Sequence, residues 1–103
     1  MNELDELEYT AALPRITALL KDPHSHVRAA ALEAIANLAP SSAAIALLLQ
    51  ALHDPEATVR FSAVLQLGEF KQLTDRDVFE RMLEDPEEDV RWGARDSLDR
   101  RFA

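Results

Sequence analysis

The sequence predicts an all-α solenoid: one domain of three helical hairpins, about six helices, stacked side by side. Three observations predict it. Asp22-Pro23 is followed by Val27-Arg28, Asp54-Pro55 by Val59-Arg60, and Asp85-Pro86 by Val90-Arg91, at spacings of 32 and then 31 residues. Self-similarity at a period of roughly 20–50 residues is the mark of stacked repeats. Each copy of D-P-x-x-x-V-R also stands between two stretches of helical periodicity, the earlier one ending at Leu20, Leu52 or Leu83. Finally, no run alternates with period two, and the chain has 2 glycines and 5 prolines, three of the latter inside the repeated turns.

Within the single domain 1–103 the repeats fall at approximately 9–39, 41–70 and 74–102. Leu4, Leu7 and Tyr9 suit a cap on the N-terminal end, either as a short extra helix or as the start of the first one. The first helices align without gaps: Ile16, Leu19 and Leu20 superpose on Leu48, Ala51 and Leu52, and on Phe79, Met82 and Leu83. That spacing is one helical face. Ser41-Ser42 can cap the second of these helices, and Thr74 with Asp77 the third. In the second helices the core face runs through the motif valine and Ala31, Ile35 and Leu38, then Ala63, Leu67 and Phe70, then Ala94, Leu98 and Arg101. The recurring alanine is small where two helices must approach. Arg101 breaks the pattern, as the polar outer face of a terminal repeat requires.

Composition narrows the function. Hydrophobic residues make up 48% of the chain, enough for a core without staples, and there is no cysteine for a disulfide or thiolate metal site. Net charge is −8, with −3 on residues 1–40, −1 on 41–73 and −4 on 74–103. Such acidity repels phosphate backbones, so no nucleic acid is expected as a partner. The longest apolar run, Ala43 to Leu49, is too short to span a bilayer. The acidic start Met1–Glu8 lacks the features of a signal peptide, so a cytoplasmic protein without membrane contact is expected.

The repeated polar residues read as architecture. An aspartate ahead of proline can accept hydrogen bonds from donors in its turn. The arginine beside each core valine has five donors and can reach an aspartate of its own or the adjacent repeat. Asp22, Arg28, Asp54, Arg60, Asp85 and Arg91 are therefore expected to form a structural ladder along the stack. The run D-P-x-x-x-V-R-x-x-A-x-x-x-L resembles the HEAT-repeat family, and more narrowly the short bacterial HEAT-like repeats of the phycobilisome-lyase type. Residues 54–67 match best, and the resemblance spans roughly residues 12–102. It implies a right-handed, armadillo-like α–α superhelix whose second helices line a concave face.

No motif carries catalysis. There is no nucleophile motif and no Gly-rich phosphate loop. The acidic run from Glu84 to Asp89 lacks the spacing of a calcium loop. His24, His26 and His53 lie in neighbouring turns, and with Asp54 or Glu56 they could in principle converge on zinc. Turn histidines are ordinarily solvated, and neither a metal nor a cofactor is expected.

The informative residues are apolar ones that point about 180° from the core at about 100° per residue. These are Phe61, Leu65 and Trp92, on the surface the resemblance makes concave. Ringed by Glu33, Glu69, Arg95, Asp96 and Asp99, they form a candidate partner-binding surface. Contact with a neighbouring repeat that buries Phe61 and Trp92 is the competing reading. The expected function is a non-catalytic protein–protein interaction module, an adaptor or regulatory scaffold. It acts as a monomer or weak homo-oligomer on a protein that is basic or offers an apolar anchor. Two alternatives are an accessory or lyase-like subunit of a pigment or cofactor enzyme, and an acidic immunity-type inhibitor of a basic protein.

Overall fold

The computed structural model describes residues 12–102. The cap expected from Leu4, Leu7 and Tyr9 lies outside the described residues. Helix α1 covers residues 12–18 and tightens into a 3-10 turn, Leu19–Lys21. It is followed by α2 (Ser25–Leu38), α3 (Ser41–Ala51), α4 (Ala57–Leu67), α5 (Arg76–Met82) and α6 (Glu88–Phe102). The described residues contain no strand. Helix α2 packs on α4 and α4 on α6, so the second helices form one continuous row. The first helices flank that row, with α3 against both α2 and α4, and α5 against α6. The result is a plate of two helical layers, 40 × 32 × 14 Å. Among the described residues no helix is long and apolar enough to cross a membrane.

Local chemistry explains the boundaries. Helix α2 is rich in Ala and Leu, good helix formers, and stops where Ala39 turns extended ahead of Pro40. In the first two copies the proline of the repeated turn sits one residue before an extended N-cap, His24 or Glu56. Two expected caps are not made. Helix α3 begins after Pro40, which offers no side-chain acceptor, and Ser41 lies inside the helix with its Oγ against Gln72 at 3.4 Å. Helix α5 is capped by Asp75, not Thr74: the Asp75 carboxylate accepts the Asp77 N–H at 3.0 Å. A carboxylate one residue nearer the free donor is the stronger acceptor.

The core is continuous through all three hairpins: Leu32, Leu48, Leu52, Val59, Ala63, Val64, Leu67, Leu73, Phe79 and Ala94. The alanines at the repeated position, Ala31, Ala63 and Ala94, are all buried. Three expected core positions differ. Leu19 and Leu38 are 42% and 41% exposed, since the 3-10 turn rotates the first off the helical face and the second closes its helix. Phe70 is half-buried but follows α4, which ends at Leu67. Arg101 is not an outward polar residue either. Its guanidinium donates to the Leu73 carbonyl in the α4–α5 connection and lies over the rings of Phe79 and Phe102, 5.9 and 5.1 Å from their centroids. Its aliphatic stem covers apolar surface at the position where the internal repeat has Phe70.

Candidate interaction surfaces

The ladder is built from one unit used three times. In each copy the arginine Nη1 donates to the carbonyl of the aspartate that opens its own turn: Arg28 to Asp22 at 2.7 Å, Arg60 to Asp54 at 2.8 Å, Arg91 to Asp85 at 2.8 Å. This bond fixes the guanidinium plane. The remaining edge of the fork reaches the next repeat. Arg28 grips the Asp54 carboxylate through Nε and Nη2 at 2.9 and 3.0 Å, and Arg60 grips Asp85 at 2.8 and 3.2 Å. Each aspartate in turn holds the backbone N–H two residues on, that of His24, Glu56 or Glu87, at 2.9 Å. One side chain thus closes a turn and joins two repeats. Bidentate pairs of this kind fix orientation as well as contributing energy.

The electrostatics follow the geometry. Burial at the joints pushes the carboxyls of Asp54 and Asp85 up. The fork from Arg28 or Arg60, with the N–H of Glu56 or Glu87, outweighs burial and holds both below the ordinary aspartate range. Asp22 is lowered as well, first by the backbone N–H of His24 and then by its ring at 3.0 Å. Within the described residues the ladder is open at both ends. Among the described residues no carboxylate pairs with Arg91 and no arginine pairs with Asp22.

The candidate binding residues separate into two kinds. Phe61 and Leu65 are half-buried, because α6 lies beside them: a Cβ on Gly93 would stand 3.5 Å from Leu65 Cδ2, 3.6 Å from Phe61 Cε1 and only 2.8 Å from Val64 Cγ1. Trp92 holds the same position in α6 and is 58% exposed. Contact with the next repeat therefore covers Phe61 in part and leaves Trp92 open. Of the surrounding charges, Glu33, Glu69, Arg95 and Asp99 are exposed. Glu69 and Asp96 are drawn together by Arg100, which lies 3.5 Å from the first and 2.9 Å from the second.

Sequence reasoning passed over the two glycines. Gly68 has ordinary helical angles, φ −61° and ψ −20°. Its role is clearance, since a Cβ there would run into Ser97 Oγ. Gly68 and Gly93 are the points where α4 and α6 touch. A glycine inside the helical pattern of α6 was the available signal.

A cleft of about 270 Å³ lies between the first two hairpins, floored by Leu32 and Val59 and walled by the Arg28–Asp54 pair, Lys21 and His53. Both charged groups of that pair are already satisfied by one another. His24 and His26 are near neighbours, with ring centroids 5.6 Å apart, and His24 turns to Asp22. Among the described residues no group of three or more His, Cys, Asp or Glu side chains converges as a metal site would require.

The repeated turn, the arginine fork and the row of second helices agree with a comparison against known families. No curated protein matches the chain. The family model for HEAT repeats matches residues 12–99, most of the sequence. The chain belongs to the HEAT-repeat family.

Proposed function

We propose that this chain is a non-catalytic protein-interaction module that engages a partner protein through the outer surface of its second helices, with Trp92 as anchor. Exposure of Trp92 carries the reading. A tryptophan open to water on a rigid helix is the residue type most often found at the energetic centre of interfaces. HEAT repeats are generally protein-interaction modules, which supports the same class. Phe61 and Leu65 extend the apolar surface from the α4 side, and Glu33, Asp96 and Asp99 supply an acidic rim. A partner with a basic border and an apolar centre fits that arrangement, with the rim steering encounter more than holding the complex.

Trp92 also supplies the test. In the free, dilute protein its emission should be red-shifted and readily quenched by iodide. It should move to the blue when a partner recovered on the immobilised chain is added. Trp92→Ala should weaken that complex by about 2 kcal/mol or more while leaving the melting temperature nearly unchanged. A partner that binds the Trp92→Ala variant as tightly as the parent would place the interface elsewhere.

A further inference from the structure

We propose that the open ends of the arginine–aspartate ladder are complementary halves of one joint, and that copies of this chain associate head to tail through it: Arg91 of one copy takes Asp22 of the next. The proposal rests on a different observation from the partner surface at Trp92; because Trp92 lies on the α6 side of this joint, a second copy and a partner protein compete for it. Arg91 is held as Arg28 and Arg60 are held, by Nη1 on the carbonyl of its own turn at 2.8 Å. Its Nε and Nη2 edge is the edge that forks the next repeat in both closed rungs, and here it has no carboxylate among the described residues. Asp22 is the matching acceptor. Its Oδ1 holds the His24 N–H at 2.9 Å, as Oδ1 of Asp54 and Asp85 hold theirs. In those two residues Oδ2 takes the arginine Nε, whereas Oδ2 of Asp22 has no such donor among the described residues. The Asp22 side chain is correspondingly more open, at 27% against 12% and 6% for Asp54 and Asp85.

The helix surfaces agree with this polarity. The side of each second helix that receives the preceding repeat carries small or short polar residues. Ser62 meets the Ala29 carbonyl, Gly93 meets Val64, and Ser97 meets Gly68. The same positions in α2 are Ala30 and Ala34, and Ala30 is exposed. On the opposite side, α6 offers Trp92 where α4 offers Phe61. It differs in having Arg95 and Asp99 where α4 has the close-packing Val64 and Gly68. The joint between copies is therefore held at its edge by the fork and stays wetter at its centre than the internal joints. It is weak and reversible. Because its two faces differ, it runs head to tail and does not close into a two-fold symmetric pair.

Whole-chain repulsion opposes the contact, since the net charge is −8. Raising the salt to about 0.15 M, where the screening length is about 8 Å, suppresses that long-range term more than the short fork. Sedimentation velocity up to millimolar concentration should show association under these conditions. Arg91→Glu and Asp22→Asn should each weaken it by more than about tenfold. The asparagine keeps an oxygen for the His24 N–H, and circular dichroism melts of both variants check that the fold survives. The decisive sample is the mixture. The Asp22→Asn chain still has an intact Arg91, and the Arg91→Glu chain still has an intact Asp22. Each alone should be monomeric, and together they should form a one-to-one dimer that grows no further. A parent chain that stays monomeric at millimolar concentration, association indifferent to both substitutions, or a mixture that does not pair would overturn the proposal.

Discussion

Helices α4 and α6 have the same register and opposite fates. Both open on an Asp-Pro turn, both carry valine and alanine on the core face, and both hold an arginine fixed to its own turn. Helix α4 has a neighbour on each side, α2 and α6, and its outer positions are Phe61, Val64, Leu65 and Gly68. Helix α6 has a described neighbour on one side of the row only, and those positions are Trp92, Arg95, Asp96 and Asp99. The difference teaches where architecture ends and recognition can begin. A residue type that is a packing element in the middle of the stack becomes a surface group at its end, with no change in backbone.

The largest expected effect falls on what the two helices share with the core. Val59 is buried between the layers. Val59→Asp should cost several kcal/mol, the order of the roughly 5–15 kcal/mol that stabilises such a domain, and should unfold the chain in a thermal melt. A variant that melts within a few degrees of the parent would break the shared register.

The two arginines sharpen the comparison. Arg60→Ala removes a bidentate grip from a mostly buried carboxylate and should cost about 1–3 kcal/mol. In the dilute monomer Arg91→Ala loses only the bond to the Asp85 carbonyl and should cost about 0.5–1.5 kcal/mol. Urea unfolding midpoints measure both, and equal losses would mean that the rung at Arg91 is already closed. Arg60→Ala should leave binding of a partner by the folded fraction nearly unchanged.

Gly93→Ala tests the α4–α6 contact itself. The added methyl would meet Val64 Cγ1 at 2.8 Å. Overpacking costs about 1–3 kcal/mol and the better helix former returns about 0.5–1 kcal/mol, so a net loss near 1 kcal/mol is expected. Combined with Val64→Ala, the losses should be less than additive, because the second change makes room for the first. Strict additivity would place the two residues out of contact.

The smallest effect is an acid one. Asp54 and Asp85 have folded-state values below the unfolded value of about 3.9, so the folded form binds protons less readily. Their contribution is complete above that unfolded value and is lost as pH falls through the lower folded-state values. Unfolding midpoints followed from about pH 6 to about pH 2 should decline at the acid end, and less steeply in Asp85→Asn. A parent curve that stays flat over that range would separate the ladder from stability.

Much of this was legible in advance, and particular residues show why the rest was not. The repeat, the core valines and alanines and the polar character of the six ladder residues follow from period and residue type alone. The destination of each arginine did not follow. Its own turn and the adjacent repeat were both within reach, and the folded chain uses both, the carbonyl of one and the carboxylate of the other. Arg101 misled because a charged head suggests solvent, whereas its stem and ring contacts are made only once Phe79 and Leu73 are brought beneath it.

By itself the sequence determined the number of hairpins, the faces of their helices and the chemistry of the turns. These depend on residues a few positions apart, where periodicity and local hydrogen bonding decide. Only the tertiary structure decided that Gly68 and Gly93 are contact points, that Phe61 and Leu65 are half covered while Trp92 is open, and that among the described residues the ladder closes at two rungs and stays open at Arg91 and Asp22. Each of these depends on whether another helix lies alongside, over sequence separations near 30 residues. Local preference carries no information about that neighbour, because the same residue in the same helical register is core or surface according to what is packed against it.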